Sequence, residues 1–555
     1  MHVLSAAEMQ ACDRATTERF GIPSVDLMRH AAGAIAAFAR LQFPRARRVT
    51  VLCGRGNNGG DGLMAARLLA ESGLAVTVIL LGSSADFKGD AAVAWRELEA
   101  AASCTVHIVG AVEDLPRLRH VLATDLIVDA VVGTGFKPPL KGLALAALGW
   151  LTAGLAESSI PVLAVDLPSG WPADETRATI SDPVFPADAV VTFTAPKPAH
   201  LFGQLTRHWD QPVVVAPIGS PDEAIVSDLK IEWAGSAQAL TLAPRATDAN
   251  KGKFGHVLVV GGSFGSTGGK AGAPLMAALA AMRVGAGLVT AAVPAPALAV
   301  VSSYAPELMT WPLLANDAGQ ASPENVSPER LASLTKAITV LAIGPGLGQS
   351  DDIAKFCIGL LKATDMPAVL DADALNILAR QPDVLAQLTQ NGRKVVITPH
   401  PGEMSRLAGV ATAEVQANRL DTARNFAQKQ GVIVVLKGAR TLIAHPDGRV
   451  AVNTTGNPGM AKGGSGDLLT GMVAGLLAQH RDDPQTSVEA AVFLHGLAGD
   501  LAVRDGNERT LLATDSLPHL SQAFRFRSRR ANGYVWLQGL PSESLPAERS
   551  GEAAE

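Results

Sequence analysis

The chain has 555 residues, a formal net charge of -5 and a sequence pI near 6.2. This length exceeds one ordinary domain and predicts two large units, and 48% hydrophobic residues against 18% charged residues exclude wholesale disorder. The mildly acidic balance excludes a general attraction to nucleic acid or to anionic membranes, so we expect neither as a partner.

The first residues, MHVLSAAEMQACDRA, lack a basic segment followed by an apolar core, and two prolines interrupt the longest uncharged stretch, residues 284–306. We therefore expect neither an export signal nor a membrane span. The four cysteines are far apart and form no CxxC pair, which disfavours a zinc ribbon or a disulfide scaffold. A reducing compartment, the cytoplasm, is the expected location.

Strand-like runs alternate with helical stretches through residues 1–220, the first predicted domain. The runs are RVTVLCG, LAVTVILLG, TVHIVG, DLIVDAVVG, IPVLAVDLPSG, ADAVVTFT and VVVAPIG. Such alternation predicts βαβ units, and hence an α/β domain with a mainly parallel sheet covered by helices.

Residues 221–247 lack strong periodicity and are predicted to be a linker. A second series of strands follows in residues 248–525, the second predicted α/β domain: HVLVVGGS, ITVLAIGPGLG, PAVLDADALNIL, KVVITPHPGE and GVIVVLKGART. The stretch TLIAHPDGRVAVNT has a Pro-Asp-Gly turn between two apolar runs and predicts a hairpin with antiparallel strands. The polar, aperiodic residues 526–555 are predicted to be a flexible tail.

The stretch GRGNNGGDG follows the first predicted strand, where ligands of parallel sheets collect. A tight strand-to-helix turn would explain the glycines alone, but not the two asparagines and Asp61. The stretch also fits neither the GxGxxG fingerprint nor a P-loop. Asp129 and Asp166 follow two other strands; each alone is better explained as a cap, whereas together they would form a negative pocket for a proton or a hard cation.

GRGNNGGDG, VDAVVGTGF, AVDLPSGW and TFTAPKP together resemble the N-terminal, Rossmann-like domain of the NAD(P)H-hydrate repair enzymes, the NAD(P)HX epimerase. The resemblance implies interconversion of R and S hydrates of NADH or NADPH, and Asp166 is our candidate for supplying and removing the proton. It implies hydrate binding by Asn57, Asn58, Gly59, Gly60, Asp61, Gly133, Thr134, Gly135, Phe136, Lys137, Pro138, Pro139 and Asp166, and potassium binding by Asn58, Asp129 and Ser169.

Two positions of the first domain depart from the family pattern, and a third is ambiguous. The stretch LMRHAAG has Arg29 where the family has an acidic residue and Ala32 in place of a glycine, which bears on helix packing or a subunit contact. Lys197 is a candidate ligand contact, although a solvated surface lysine is the slightly favoured interpretation.

GGSGD, residues 463–467, precedes a helical stretch with apolar spacing. Backbone amides at such a helix start can hold an anion, and a neighbouring carboxylate can accept a proton from an attacking hydroxyl. This combination is typical of a small-molecule kinase. A simple glycine-rich helix cap is the structural alternative.

Six motifs of this half resemble the ribokinase-like ADP-dependent NAD(P)HX dehydratase: GGSFGSTGGKAGAPLMAALAAMRVGAGLV, AIGPGLG, LDADALN, TPHPGEM, LKGART and NPGMAKGGSGDLLTG. The resemblance implies nucleotide contacts from Lys437, Gly438, Ala439, Arg440, Thr441 and Gly466, and hydrate contacts from Ala273, Gly346, His400 and Asp467. Asp467 is the candidate base, with ADP as co-substrate and Mg²⁺ as the metal. Glu403 could help order that Mg²⁺, but a helix cap is favoured.

The two resemblances imply a bifunctional enzyme that epimerises NADHX and NADPHX and dehydrates the S form with ADP, releasing AMP and phosphate. A homo-oligomer is expected. The alternative enzyme is a vitamin-precursor kinase of the hydroxymethylpyrimidine type with a non-catalytic N-terminal domain. An alternative of another class is that the N-terminal domain is only a dinucleotide-binding scaffold or sensor.

Overall fold

The computed structural model describes residues 1–541 apart from residues 157, 243 and 267. The chain divides into two compact units: Met1–Lys230 joined by the C-terminal segment from Arg527, and Ile231–Phe526. Each unit contains one mainly parallel β-sheet with helices packed on it. The predicted α/β class with two domains is therefore confirmed.

The first unit alternates strands and helices along the chain, as the sequence predicts. Its strands are β1 (Arg48–Cys53), β2 (Ala75–Leu81), β3 (Thr105–Val109), β4 (Leu126–Ala130), β5 (Val162–Val165), β6 (Ala189–Phe193) and β7 (Val213–Ala216). Its helices are α1 (Ala6–Glu18), α2 (Ser24–Gln42), α3 (Asn57–Glu71), α4 (Gly89–Ala101), α5 (Gly142–Leu155) and α6 (Pro198–Phe202). The strands β1 to β7 are parallel in the order β7-β6-β5-β4-β1-β2-β3.

The central strands of this first sheet are buried on both faces, to which their successive side chains point alternately. Val51 of β1 packs in an apolar cluster with Phe38 of α2 and Leu63 of α3. Its neighbour Leu52 packs in a second cluster with Leu151 of α5. This two-sided burial explains why the strands appear in the sequence as continuous apolar runs rather than alternating ones.

An additional strand of the first sheet lies inside the segment predicted to be a flexible tail. Val535–Gln538 pairs antiparallel with β7 at the edge of the sheet. The Trp536 ring lies 6.1 Å from the ring of Phe38, and the Tyr534 hydroxyl donates a hydrogen bond to Ala34 O at 2.7 Å. The tail prediction is thus wrong up to residue 541, because these aromatic residues are buried in the core; residues 542–555 lie outside the described part of the chain.

The second unit has a longer, mixed sheet. Its strands are β8 (Ile231–Trp233), β9 (His256–Val260), β10 (Phe264–Gly265), β11 (Gly268–Gly269), β12 (Leu288–Pro294), β13 (Met309–Leu313), β14 (Val340–Ile343), β15 (Ala368–Leu370), β16 (Val395–Ile397), β17 (Ile433–Leu436), β18 (Leu442–Ala444) and β19 (Val450–Val452). The C-terminal strand of the first sheet, described above, is β20 (Val535–Gln538). The strands of the main sheet follow the order β13-β12-β9-β14-β15-β16-β17-β18-β19-β8, and β10 pairs with β11.

The helices of the second unit are α7 (Gly272–Arg283), α8 (Leu298–Ser302), α9 (Pro328–Leu334), α10 (Asp351–Lys362), α11 (Asp373–Ala379), α12 (Pro382–Thr389), α13 (Pro401–Ala408), α14 (Thr412–Ala417), α15 (Arg419–Gln430), α16 (Ser465–Gln479), α17 (Pro484–Asp505) and α18 (Leu520–Arg525). The predicted hairpin is confirmed, since β18 and β19 are antiparallel. Within the described residues, no helix has both the length and the apolarity that a membrane crossing requires.

The predicted linker differs from the structure. Residues 221–247 contain β8, which pairs in parallel with β19 and so belongs to the second sheet. The Trp233 indole donates a hydrogen bond to Thr454 Oγ1 at 2.8 Å. The boundary between the units lies at residues 230 and 231. This boundary was missed in the sequence analysis because β8 is too short to give a periodic signal.

The departures from the family pattern in α2 have simple structural consequences. Arg29 is exposed and pairs with Asp26 at 2.9 Å and with Glu97 of α4 at 2.7 Å. Ala32 is buried in the helix-packing core. In this structure, Arg29 therefore joins α2 to α4.

We expect Trp536→Ala to lower the free energy of unfolding of the first unit by about 3–5 kcal/mol, because a buried indole leaves a cavity in the core. Hydrogen exchange of the β6 and β7 amides measures this loss. Trp536→Phe is the matched control and should lose much less. Unchanged protection in β7 of the alanine variant would contradict a supporting role for β20.

Candidate functional sites

The first site lies where the strand order of the first sheet reverses. Starting from β1, the chain builds β2 and β3 on one side and β4 to β7 on the other. Loops leaving the carboxyl ends of β1 and β4 diverge at this point and leave a crevice, the usual ligand position in such sheets. GRGNNGGDG follows β1 and VVGTGF follows β4, so the topology brings both motifs to one crevice.

Two glycines of the first motif are required by close backbone contacts. A Cβ atom on Gly54 would lie 2.0 Å from Val131 O, and one on Gly59 would lie 1.9 Å from Gly54 O. Because glycine has no side chain, the loops after β1 and β4 can touch at these positions. Helix α3 then begins at Asn57, directly after the first loop. The free amides at the start of α3 therefore face the crevice.

The crevice is a cavity of ≈ 1240 Å³. Most of the predicted hydrate-binding residues line it: Asn57, Asn58, Asp61, Gly133, Thr134, Gly135, Phe136 and Asp166. Gly59 and Gly60 are buried in the first turn of α3 and are not among the lining residues, nor are Lys137, Pro138 and Pro139. The predicted contacts of these five residues remain proposals.

Asp166, the candidate catalytic residue, is held in place by four hydrogen bonds. Its Oδ1 accepts from Lys197 Nζ at 2.9 Å and from Thr192 Oγ1 at 2.8 Å. Its Oδ2 accepts from Thr134 N at 2.9 Å and from the Thr134 hydroxyl. Burial by itself would raise the pKa of Asp166, but the Lys197 charge and these hydrogen bonds outweigh it and hold the pKa below its usual range.

Lys197 is not the solvated surface lysine that the sequence slightly favours. Its side chain is 2% exposed, forms the ion pair with Asp166 and lines the cavity. The apolar residues on both sides of Lys197 in TFTAPKPAH are the sequence signal that this lysine is buried. A buried ammonium needs an opposite charge close by, and Asp166 supplies it.

His200 and Thr192 were missed by the sequence analysis, although both lie in the run TFTAPKPAH. The His200 Nδ1 accepts from Lys197 N at 2.9 Å, so its Nε2 donates to Asp166 O at 2.7 Å. Burial lowers the pKa of His200 to about 4, and the ring is therefore neutral at neutral pH. His200 thus fixes the backbone of Asp166, which has the unusual φ of +65°.

Asp61 has the opposite electrostatic environment from Asp166. Burial, followed by the charges of Asp166, Asp13 and Asp90, raises the pKa of Asp61 well above its ordinary value. Burial also raises the pKa of Asp13. Asp13 and Asp90 line the cavity too, and both were missed in the sequence analysis because each occupies an ordinary helical position.

The structure joins two of the three predicted potassium ligands. Ser169 Oγ donates to Asp129 Oδ1 at 2.6 Å, and Ser169 N donates to Asp129 Oδ2 at 2.8 Å. Burial raises the pKa of Asp129 to about 6. Within the described residues, Asn58 Nδ2 is buried without a hydrogen-bond partner, and Asn58 bonds neither Asp129 nor Ser169. The donor set of carboxylate, hydroxyl and amide oxygens fits a hard cation.

The second site lies at the carboxyl ends of β14 to β17, beside the start of α16. A cavity of ≈ 470 Å³ is lined by three predicted hydrate contacts, Ala273, Gly346 and Asp467. It is also lined by residues for which no such contact was predicted: Gly269, Lys270, Gly272, Ala372, Asp373, Asn376 and Glu403. The motifs GGKAGAP, GPGLG and LDADALN therefore converge on this cavity.

His400, a predicted hydrate contact, does not line this cavity, and that contact remains a proposal. It is the N-cap of α13, its side chain is 51% exposed, and it is not among the residues lining the cavity. Its Nδ1 accepts from Gly402 N at 3.0 Å, while Glu403 Oε2 accepts from His400 N at 2.8 Å. The favoured interpretation of Glu403 as a helix cap is confirmed.

A charged cluster lies next to the predicted anion-binding helix start. Lys437 Nζ donates to Asp371 Oδ1 at 2.8 Å and lies 3.8 Å from Glu403 Oε2. A Cβ atom on Gly466 would lie 3.4 Å from Lys437 Nζ, so the helix start and the ammonium are adjacent. Burial lowers the pKa of Lys437, but Asp371 and Glu403 outweigh it and leave the pKa raised. Lys437 is therefore charged at neutral pH.

The predicted nucleotide loop, Lys437–Thr441, connects β17 to β18 and is braced from α15. The Arg419 guanidinium donates to Leu436 O at 3.2 Å and to Arg440 O at 3.4 Å. Thr441 Oγ1 closes the turn by donating to Gly438 O at 2.9 Å. Of the predicted nucleotide contacts, the structure brings Lys437 and Gly466 next to each other.

Asp467 has the properties of a base at this site. It lies in the first turn of α16 and lines the cavity. Burial, followed by the charge of Asp371, raises its pKa to about 6, while the charges of Lys437 and Lys270 oppose the rise. A carboxylate with this pKa is ionised at neutral pH and still has a substantial affinity for a proton.

Both halves of the chain match known proteins. A family model described as YjeF-related protein N-terminus matches residues 24–199, and one described as NAD(P)H-hydrate dehydratase matches residues 257–521. A bifunctional NAD(P)H-hydrate repair enzyme of Moorella thermoacetica is 39% identical over 543 residues, 95% of this chain and 97% of that relative. Its counterpart in Coxiella burnetii is 40% identical over 504 residues, 90% of this chain and 95% of that relative.

Several solved structures match about half of the chain. The ADP/ATP-dependent NAD(P)H-hydrate dehydratase of Bacillus subtilis, co-crystallised with ATP and Mg²⁺, is 34% identical. The match covers 53% of this chain and 98% of that one, with a TM-score of 0.44.

We expect Lys197→Met to lower the free energy of unfolding of the first unit by about 3–5 kcal/mol at pH 7, because it leaves Asp166 buried without its counter-charge. The pKa of Asp166 is lower in the folded chain than in the unfolded chain, where it is near 3.9. This difference stabilises the native first unit at pH values above about 3.9, and the stabilisation disappears as the pH falls toward the folded pKa. The deficit of the variant should therefore shrink near pH 4, where Asp166 of the variant can take up a proton.

Denaturant unfolding at both pH values measures this difference. The double variant Asp166→Asn, Lys197→Met is the matched control and should recover part of the loss at pH 7. A deficit that is equal at both pH values would show that packing, rather than charge, explains the effect of Lys197.

Proposed function

The chain belongs to the family of bifunctional NAD(P)H-hydrate repair enzymes, and we propose that its two cavities perform the two steps of that repair. The first unit epimerises the R and S hydrates of NADH and NADPH. The second unit dehydrates the S form with ADP and releases AMP and phosphate. The observation that carries the proposal is the match to a repair enzyme over 95% of the chain, a share that includes parts of both units.

Epimerisation is explained by the electronic structure of the hydrated ring. The reacting carbon bears both a hydroxyl and the ring nitrogen, so loss of water leaves a cation that the nitrogen stabilises. Return of water to the other face gives the other epimer. The departing hydroxyl takes a proton from Asp61, whose raised pKa favours the protonated carboxyl, and leaves as water. Asp166, kept ionised by Lys197, stabilises the resulting positive charge and, with Asp61, accepts the proton of the returning water.

Binding of the hydrated dinucleotide is assigned to the two loops of the first crevice. We propose that the start of α3, residues Asn57–Asp61, and the loop Gly133–Pro139 surround it. The free amides of α3 and the side chains of Asn57 and Asn58 suit the pyrophosphate and carboxamide groups of such a ligand.

Potassium would be held by Asn58, Asp129 and Ser169. Asp129 is buried, and its carboxylate, the Ser169 hydroxyl and the Asn58 amide oxygen are the kinds of oxygen donor that a hard cation prefers. A bound cation would supply a fixed positive charge beside the crevice and neutralise Asp129. The residues of the chain that handle the proton are separate from this set.

Dehydration requires a better leaving group than hydroxide. We propose that Asp467 accepts the proton of the hydroxyl as it attacks the terminal phosphoryl group of ADP, which releases AMP. The amides of Gly463 to Gly466 and the Lys437 ammonium then neutralise the charge on the transferred group. Phosphate leaves as the ring nitrogen donates electrons to the reacting carbon, and the neighbouring ring carbon then gives up a proton to the departing phosphate, which forms the new double bond of the reduced ring.

Nucleotide binding is proposed for Lys437–Thr441 and Gly466, with Ala273, Gly346 and His400 as the remaining hydrate contacts. Mg²⁺ fits this site only as an ion held mainly by phosphates, because the described residues contain no cluster of three acidic, His or Cys ligands. Glu403 lines the cavity, but its carboxylate caps α13 and lies 3.8 Å from Lys437 Nζ, so phosphates would supply the ligands of this ion, which would neutralise their charge.

The comparisons disfavour the vitamin-precursor kinase, because the relatives that match nearly the whole chain are repair enzymes. One polypeptide with both activities has a chemical reason: the dehydratase accepts one epimer only, and the epimerase renews its supply. We also propose a cytoplasmic location, consistent with four free cysteines. A homo-oligomer is a further proposal, and a single-chain mass in sedimentation equilibrium would contradict it.

Two substitutions should separate the two activities. With racemic hydrate and ADP, Asp467→Asn should reduce recovery of reduced-nicotinamide absorbance by about 10²–10⁴-fold while R and S still interconvert. Asp166→Asn should instead convert the S half quickly and then stall, because the R form is no longer renewed. Each variant is the folding control for the other unit. Full turnover in either variant would refute the role of its residue.

Epimerisation should depend on potassium. Replacing KCl by tetramethylammonium chloride at constant ionic strength should slow R to S conversion by about tenfold or more, because Asp129 would lack its counter-ion. Asp129→Asn should raise the potassium concentration needed for half-maximal rate, whereas dehydration of pure S hydrate by the same variant should not change. An equal epimerisation rate in both salts would contradict the site.

A further inference from the structure

Asp371 is a buried carboxylate to which neither the sequence nor the proposed mechanism assigns a role. It follows β15 directly and is 2% exposed. Its Oδ1 accepts from Lys437 Nζ at 2.8 Å, and its Oδ2 accepts from Thr470 Oγ1 at 2.8 Å. Both oxygens are therefore engaged with residues of other elements.

The two partners of Asp371 belong to the two parts of the dehydration site. Lys437 directly follows β17, and Thr470 lies on α16, three residues after Asp467 and four after Gly466. A Cβ atom on Gly466 would lie 3.4 Å from Lys437 Nζ and 3.8 Å from Asp371 Oδ2. Since residues three and four apart share a helix face, one carboxylate connects the lysine with the functional face of α16.

The charge of Asp371 also acts on Asp467. After burial, the Asp371 charge is the strongest influence that raises the pKa of Asp467. Asp373 acts in the same direction, whereas Lys437 and Lys270 act against it. The same carboxylate, together with Glu403, keeps Lys437 charged.

We propose that Asp371 is a positioning residue for dehydration, which holds the Lys437 ammonium against the start of α16 and sets how readily Asp467 takes up a proton. This inference rests on the proposed role of Asp467 as the base. Asp371 is not among the residues lining the cavity, so it acts through Lys437 and Asp467 rather than on the substrate.

The competing explanation is that Asp371 only stabilises the fold through its ion pair. A purely structural residue would change stability and the amount of folded enzyme, but not the pH at which the remaining activity is half lost. The pH profile of kcat/KM therefore separates the two explanations.

The test uses the full chain, pure S hydrate and ADP from pH 5 to pH 8. The wild-type profile should fall below about pH 6, where Asp467 becomes protonated. In Asp371→Asn this acid limb should move down by about one pH unit, because a like charge near Asp467 is removed. The plateau of kcat should fall by about tenfold or more, because Lys437 is no longer held and Asp467 is a weaker base.

Thr470→Val is the matched control. It removes one hydrogen bond to Asp371 but leaves the charge, so the acid limb should stay where it is in the wild type. Lys437→Met provides a second measurement if Asp371→Asn does not fold. It removes the opposing positive charge, and its residual activity should show an acid limb moved to higher pH.

Acid limbs that stay at the wild-type position in Asp371→Asn would overturn the inference, as would an unmoved limb in Lys437→Met. The proposed function is tested separately by the wild type in the same assay. A wild type without ADP-dependent turnover, or an Asp467→Asn variant that keeps both turnover and the acid limb, would refute the function itself.

Discussion

Each site depends on a carboxylate at the end of a parallel strand that forms an ion pair with a buried or half-buried lysine. Asp166 follows β5 and pairs with Lys197 at 2.9 Å, and Asp371 follows β15 and pairs with Lys437 at 2.8 Å. A buried charge without its partner is strongly destabilising. The positions of both lysines are therefore fixed by the fold rather than by a ligand.

The two pairs prepare their sites for different chemistry. In the first unit, four hydrogen bonds, one of them from Lys197, keep Asp166 ionised, so a negative charge is in place before the ring becomes positive. In the second unit, Asp371 holds the lysine, while burial raises the pKa of the neighbouring Asp467 to about 6. Groups that are already oriented need not rearrange during the reaction, which is the main source of electrostatic catalysis.

The sequence predicted the α/β class, the strands β1 to β7 and the hairpin of β18 and β19, because these signals are local. It missed β12, whose run LVTAAVP contains alanines in place of β-branched residues, and β8, which has three residues. It also placed β20 in a flexible tail. The edge position of β20 depends on β7, more than 300 residues earlier in the chain, and no local pattern contains that contact.

The sequence by itself determined which strand ends carry functional groups, because glycine-rich loops and terminal aspartates are visible as motifs. Only the tertiary structure decided what those groups contact. Lys197 became a buried partner of Asp166, His400 became a helix cap, and Asp371 became the connection between Lys437 and α16. The physical reason is that burial and charge pairing arise between residues distant in the chain, whereas a motif records only its neighbours.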